Sequence, residues 1–186
     1  GWMCEISTDN YIDNNCPHLP SKPNVDQRED HYNLSAYSGT MDHELFRFEP
    51  VKSYTGKDSP SSVWLYCYAA IAVANQALEH IEELVAQNGG EYTNSLRRSR
   101  AEALLCRAYS HFLLVNLFSQ TWKDDELSKK DIGIPYVTKP ETTVKPMYDR
   151  SNVYETYQFI EKDMLEGLKD VGDETYEMPK WHFNTK

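Results

Sequence analysis

Apolar residues recur at helical spacing in three stretches of this chain, and polar or turn-forming residues fill the rest. The first stretch opens at Ser59-Pro60. Serine is a good N-cap because its oxygen accepts a free amide of the first turn, and proline loses nothing at the first helical position. Trp64, Tyr68, Ile71, Leu78, Ile81 and Val85 then follow at helical spacing. Asn88-Gly89-Gly90 predicts the stop, since glycine takes the left-handed C-terminal cap easily. Roughly 28 residues at 1.5 Å each predict a rod of about 42 Å. A second helix is predicted from Thr93 or Asn94 to about residue 118, carrying Leu96, Ala101, Leu104, Leu105, Ala108, Phe112, Val115 and Phe118. So short a connection forces an antiparallel hairpin. Trp64, Tyr68, Leu104, Ala108 and Phe112 form its expected shared core. A third helix is predicted from about Ser151 to Val171, with Val153, Tyr157, Ile160, Met164 and Leu168 on one stripe and Gly172 at its end.

Residues 1–58 hold no period of 3.6 or 2 for long. They read as an irregular segment packed on the helices, with His43 to Phe48 as a short strand or helical turn. Residues 120–150 read as a long link. Asp124-Asp125-Glu126 is solvated charge, and Ile132-Gly133-Ile134-Pro135-Tyr136-Val137 is a short extended run. Helix pairs without strands predict an all-α fold of tetratricopeptide-like hairpins, an α-α superhelix, over residues 59–186. The standard tetratricopeptide consensus is missing, because no leucine-glycine pair follows Trp64.

Composition narrows the function. The 186 residues carry a formal net charge of -10, which repels nucleic-acid phosphates. No run of 18 apolar residues is present to span a membrane. The four cysteines, Cys4, Cys16, Cys67 and Cys106, form no C-x-x-C pair. Cys67 and Cys106 fall in helical patterns as buried small hydrophobes, and Cys4 and Cys16 could bridge. No histidine stands at a metal-binding spacing, and no phosphate loop, nucleophile elbow or calcium loop is present, so neither a metal nor a cofactor is expected.

Three polar residues interrupt the apolar helices. Asn75 continues the stripe of the first helix and needs a hydrogen-bond partner if buried. Glu102 and Arg107 sit in the middle of the second, and buried charges need partners. Asp163 on the third helix is the candidate partner for Arg107. Glu102 as a general acid or base lacks a second carboxylate placed opposite it by any motif.

Trp64-x3-Tyr68-x2-Ile71-x3-Asn75 resembles the first helix of the SusD/RagB family, and Glu102-Ala103 with Arg107-Ala108 resembles its second. Gly133-Ile134-Pro135 is similar to the family's Gly-x-Pro stretch, and Arg150-Ser151 with Val153, Tyr157, Ile160 and Asp163 to its third helix. Ser119 stands where the family often has glycine.

The resemblance implies a non-catalytic outer-membrane surface lipoprotein. Such a protein captures a glycan or similar nutrient for a SusC-like, TonB-dependent transporter. A lipid anchor, not present in this chain, would be its contact with the membrane. The resemblance also implies that the chain is the amino-terminal part of a longer protein, truncated at its carboxyl end. The third helix is then expected either to self-associate or to leave a patch around Met164 and Leu168 more exposed than the core of the first two helices. A helical-repeat scaffold for protein partners is the alternative reading. Sugar rings have apolar faces that stack on aromatic side chains. The loop aromatics Tyr11, Tyr32, Tyr37, Tyr54 and Trp122 are therefore candidate ligand contacts, and each could equally pin its loop to the helices.

Overall fold

A computed structural model of the chain describes residue 41, residues 44–45, 47–52, 56, 59–144, 146–174 and 176–184. Tyr11, Tyr32, Tyr37, Tyr54, Cys4 and Cys16 lie outside these residues. The chain divides into two compact units, Gly1–Trp64 and Leu65–Lys186. In the first, the backbone at residues 44–45 is helical and a turn follows, closed by the Phe48 amide on the Leu45 carbonyl at 3.2 Å. The helical turn expected near His43 to Phe48 is therefore there in part.

The described residues contain four α-helices and no β-strand. They are α1 (Pro60–Gln87), α2 (Asn94–Phe118), α3 (Asp125–Ser128) and α4 (Val153–Leu168), with a 3-10 turn at Pro179–Trp181. The capping chemistry matches the expectation. Ser59 Oγ accepts the Ser62 amide at 3.3 Å, and Thr93 accepts the Leu96 amide at 3.2 Å. After α1, the Gly90 amide closes on the Val85 carbonyl at 2.9 Å, with Gly89 and Gly90 at φ 72° and 87°.

Contacts along α1 and α2 run in opposite directions: Tyr68 meets His111, Asn75 meets Arg107, and Glu82 meets Arg100. The hairpin is thus antiparallel, with the 100-104-107-111 stripe of α2 turned to α1. Ile71, Ala74, Ile81 and Val85 of α1 are buried, as are Leu104, Ala108, Leu114 and Val115 of α2. Tyr68 and Trp64 are half-buried.

Phe112 departs from the expectation. It lies on the neighbouring 101-105-108-112 stripe, which faces α4, and meets Tyr157 edge to face with ring centroids 6.4 Å apart. It is 38% exposed and not part of the hairpin core. Cys67 and Cys106 are likewise half-buried, not fully buried.

α4 runs antiparallel to α2: Tyr157 touches Asn116, Asp163 touches Arg107, and Glu166 touches Arg100. The two helices come close because α4 presents Gly167. A Cβ there would lie 2.8 Å from Leu105 Cγ and 3.0 Å from the Ala101 carbonyl oxygen. α4 is shorter than expected at both ends. Asn152 caps it by accepting the Glu155 amide at 2.8 Å, and it stops at Leu168. Gly172 does not end it; instead this glycine lets the chain pass directly over the Arg98 guanidinium. The charged run at Asp124 is also more than solvated charge. Asp124 caps the single turn of α3, accepting the Leu127 amide at 2.8 Å, and Ser128 at the end of that turn is buried.

These burial differences yield a stability test. Leu114 is 0% exposed, so Leu114→Ala is expected to cost about 2–5 kcal/mol. Phe112→Ala, from a partly solvated site, should cost about 1–2 kcal/mol, well below the range for a fully buried phenylalanine. Urea unfolding of the two variants checks the order; Phe112→Ala as the more damaging change would place Phe112 back in the core.

Candidate functional site

The interior of the second unit is organised around polar groups. Arg107 and Asp163, both buried, form a bidentate pair: Nε to Oδ2 at 2.7 Å and Nη2 to Oδ1 at 2.8 Å. Arg107 Nη1 also donates to Asn75 Oδ1 at 2.9 Å and to the Thr138 carbonyl at 3.3 Å. Asn75 Nδ2 donates to the carbonyls of Val137 at 3.0 Å and Lys139 at 3.4 Å. The expected partners of Asn75 and Arg107 are therefore in place. What they hold is the extended segment after Gly133, which forms no strand and needs side chains to satisfy its backbone.

His111 completes this anchorage. The Val137 amide can only donate, so His111 Nε2 accepts it at 3.1 Å; Nδ1 then carries the proton and donates to the Arg107 carbonyl at 2.8 Å. The imidazole stacks on Tyr136, centroids 3.8 Å apart. Tyr136 Oη donates to Asp163 Oδ2 at 2.6 Å, and Tyr68 Oη donates to the Pro135 carbonyl at 2.8 Å. Burial, then the bond to Asp163, pushes the Tyr136 phenol far above its ordinary range. From the sequence alone, His111 on the apolar second helix reads as a partly buried packing residue. It is fully buried and a hub of the network. Its position four residues after Arg107, on the same stripe, was the available signal.

Gly133 sits at the start of the anchored segment. Its amide donates to the Ser151 carbonyl at 2.7 Å, and a side chain there would strike Thr156 Oγ1 and the Asn152 carbonyl. The Arg150 Nε donates to the Gly133 carbonyl at 2.7 Å. A single antiparallel bridge, Ile132 to Asn152, joins this segment to the start of α4.

Glu102 has a different set of partners. Tyr176 Oη donates to its Oε2 at 2.8 Å, and His182 Nδ1 lies 2.6 Å from its Oε1. Tyr176 and His182 stack with centroids 3.9 Å apart. Both carboxylate oxygens thus engage the segment after α4, which is also tied to α2 by Arg98 and Glu174 at 3.1 Å.

Trp122 borders an open groove of about 770 Å³ between α2 and α4. It stacks on Tyr154 with centroids 5.7 Å apart and meets Tyr157 edge-on at 5.3 Å. Tyr109, Phe112, Met164 and Leu168 continue the apolar lining; Gln158 and Glu161 add its polar groups. Leu165 and Leu168 on the outer flank of α4 are 58% and 60% exposed, while Met164 is half-buried. No group of residues suited to a metal ion and no helix able to cross a membrane occurs among the described residues.

A family profile described as SusD-like, starch-binding and associating with outer membrane, matches residues 9–186. The chain belongs to the SusD-like family. Two solved structures share its helical architecture. One is a SusD superfamily protein from Bacteroides thetaiotaomicron VPI-5482, with TM-score 0.56 and 23% identity, over 69% of this chain and 27% of that one. The other, from Bacteroides vulgatus ATCC 8482, is named for sugar binding; it aligns with TM-score 0.52 and 21% identity, again over 69% of this chain and 27% of its own. The chain thus spans about a quarter of the length of these relatives. No functionally curated protein matches it.

The buried histidine makes stability depend on pH. Burial holds the His111 imidazole down at about 4, against 6.5 for an ordinary histidine. Between these values the unfolded chain binds a proton that the folded one does not. This contribution is therefore whole above about 6.5 and falls away as the pH drops towards 4, by about 3 kcal/mol in all. Denaturant unfolding at stepped pH should show that loss, and His111→Gln should lack this portion of it. An unchanged pH slope in the variant would contradict the assignment.

Proposed function

We propose that this chain is the amino-terminal scaffold of a non-catalytic glycan-capture protein at the outer-membrane surface, working beside a SusC-like, TonB-dependent transporter. The observation that carries this reading is the SusD-like match over residues 9–186. The naming of one structural relative for sugar binding supports the ligand class. The helix chemistry is consistent with a scaffold. Asp163 is spent on Arg107, and Glu102 on Tyr176 and His182, which leaves neither set up as a general acid or base.

Trp122 is the described aromatic that we assign to ligand contact, with Tyr154 and Tyr157 setting its orientation and Gln158 and Glu161 within the same groove for hydroxyl groups. Tyr11, Tyr32, Tyr37 and Tyr54 are proposed as further contacts. A helical scaffold for a protein partner is the second reading, favoured by the exposed apolar flank at Leu165 and Leu168.

Isothermal titration of the chain against starch-derived and other oligosaccharides tests the proposal, with product analysis for cleavage. Binding in the millimolar range without cleavage is expected, because so few polar groups accompany the aromatic wall. Trp122→Ala should weaken it by roughly tenfold, about 1.4 kcal/mol. Release of new reducing ends would contradict the non-catalytic reading. Failure of every oligosaccharide to bind, alongside tight capture of a protein partner, would favour the second reading.

A further inference from the structure

The segment after α4 lies along α2 as a strap. Arg98 Nη1 donates to the Asp170 carbonyl, and Nη2 to Glu174 Oε2. Glu102 takes Tyr176 Oη on Oε2 and His182 Nδ1 on Oε1. Further on, the Phe183 ring meets Tyr109 edge to face with centroids 6.3 Å apart. From Arg98 to Tyr109 the strap follows about 16 Å of the helix. Tyr109 also lines the groove beside Trp122, so the end of the strap borders that groove. Little apolar surface holds the strap down. Among the described residues from 171 to 184, Gly172 alone is buried, whereas the segment before α4 buries Ile134 and Val137. Met178 and Trp181 are turned outward, 56% and 73% exposed. Attachment therefore rests mainly on polar contacts. A segment with few buried apolar contacts belongs to the low-stability part of a fold and can open while the helices stay folded.

The contacts at Glu102 set how that opening responds to protons. A carboxylate only accepts, so His182 Nδ1 is the donor in the 2.6 Å contact. Arg98, Cys106 and Glu102 face this cluster from α2, and Tyr176 faces it from the strap. Arg98 is paired with Glu174, and Lys180 lies over the Trp181 ring. Burial, then the bond to Glu102, pushes the Tyr176 phenol up to about 12. Burial, then the Glu102 charge, raises the Cys106 thiol. Both groups therefore stay neutral at and below neutral pH. Histidine is the side chain that ordinarily changes charge between pH 5 and 8. With one ring proton, the His182–Glu102 contact is a hydrogen bond to a carboxylate. With two, it is an ion pair, and the same bond is stronger. Docking on Glu102 favours the charged ring, so this contribution is whole on the acid side and is lost as the pH rises.

We propose that Glu102 and His182 form a proton-tightened latch. It holds residues 176–184 on α2 more firmly at mildly acidic than at neutral pH, and lets them lift without unfolding the helices. Lifting uncovers Tyr109 at the edge of the groove. The latch is independent of which ligand that groove takes.

Amide hydrogen exchange of the whole chain tests it, read residue by residue by NMR between about pH 7.5 and about 5.5 and corrected for the intrinsic pH dependence of exchange. The His182 amide donates to the Pro179 carbonyl at 3.0 Å and reports on the strap. Its protection should be lower than that of Leu114 and should rise about threefold towards the acid end. The rise is modest because both side chains of the pair are partly solvated. Over the same interval the helix core should move the other way, since His111 weakens it. His182→Gln keeps a donor for Glu102 without the second proton, so its protection should not vary with pH. Glu102→Gln should lower the protection and flatten it, with Leu114 still protected as a check on folding. Equal protection of His182 and Leu114 would mean that the strap opens only with the whole fold, and would overturn the proposal. So would a flat pH response in the unaltered chain, or a rise that survives in His182→Gln.

Discussion

Arg107 carries a full charge into the space between α1, α2 and α4, and the surrounding structure is arranged to satisfy it. A buried guanidinium without partners would be prohibitively costly, and even a paired one contributes little net stability over an apolar substitute. Its value lies in geometry. The planar fork donates to one bidentate carboxylate, which Asp163 of α4 supplies at 2.7 and 2.8 Å. The two N–H groups of Nη1 go to Asn75 of α1 and to the Thr138 carbonyl. One side chain thus fixes the register of three helices and attaches a strandless segment to them. A helix slipped by one residue would leave a charge unpaired, which is a stronger constraint than apolar packing alone imposes.

The attached segment depends on the helices for its hydrogen bonding. Residues 134–139 have little regular hydrogen bonding of their own, yet Ile134 and Val137 are buried. Asn75, Arg107, His111 and Tyr68 supply the missing partners. The groove on the other side of α2 has a different origin. Gly167 draws α4 against α2 at one level, while Phe112, Tyr157 and Trp122 hold an aromatic wall at the other.

Much of this was legible in the chain. Helix caps at Ser59, Thr93 and Asn88-Gly89-Gly90 follow local chemistry, and the three apolar periods fix the long helices. The pairing of Arg107 with Asp163 was legible because a charge inside an apolar stripe demands a partner. Phe112 was misplaced because α2 is apolar on two adjacent faces, one for each neighbouring helix, and periodicity cannot assign a residue near their border. Gly172 was misread because glycine marks both a helix end and a close approach; here it is the second, against Arg98. His111 looked like ordinary packing because its two partners, the Val137 amide and the Arg107 carbonyl, are backbone groups with no signature in sequence.

The central claim is that this polar network, and not local propensity, holds the Tyr136–Lys139 segment to the helices. Native-state hydrogen exchange at the Val137 amide tests it most directly, since that amide donates to His111 in the buried interior. The account predicts that Val137 exchanges as slowly as the core amides of α2 around Leu114. It also predicts that Asn75→Ala speeds Val137 selectively while those core amides stay protected. Fast exchange at Val137 in the unaltered chain, or a loss of protection in Asn75→Ala spread evenly over α2 and the segment, would contradict it.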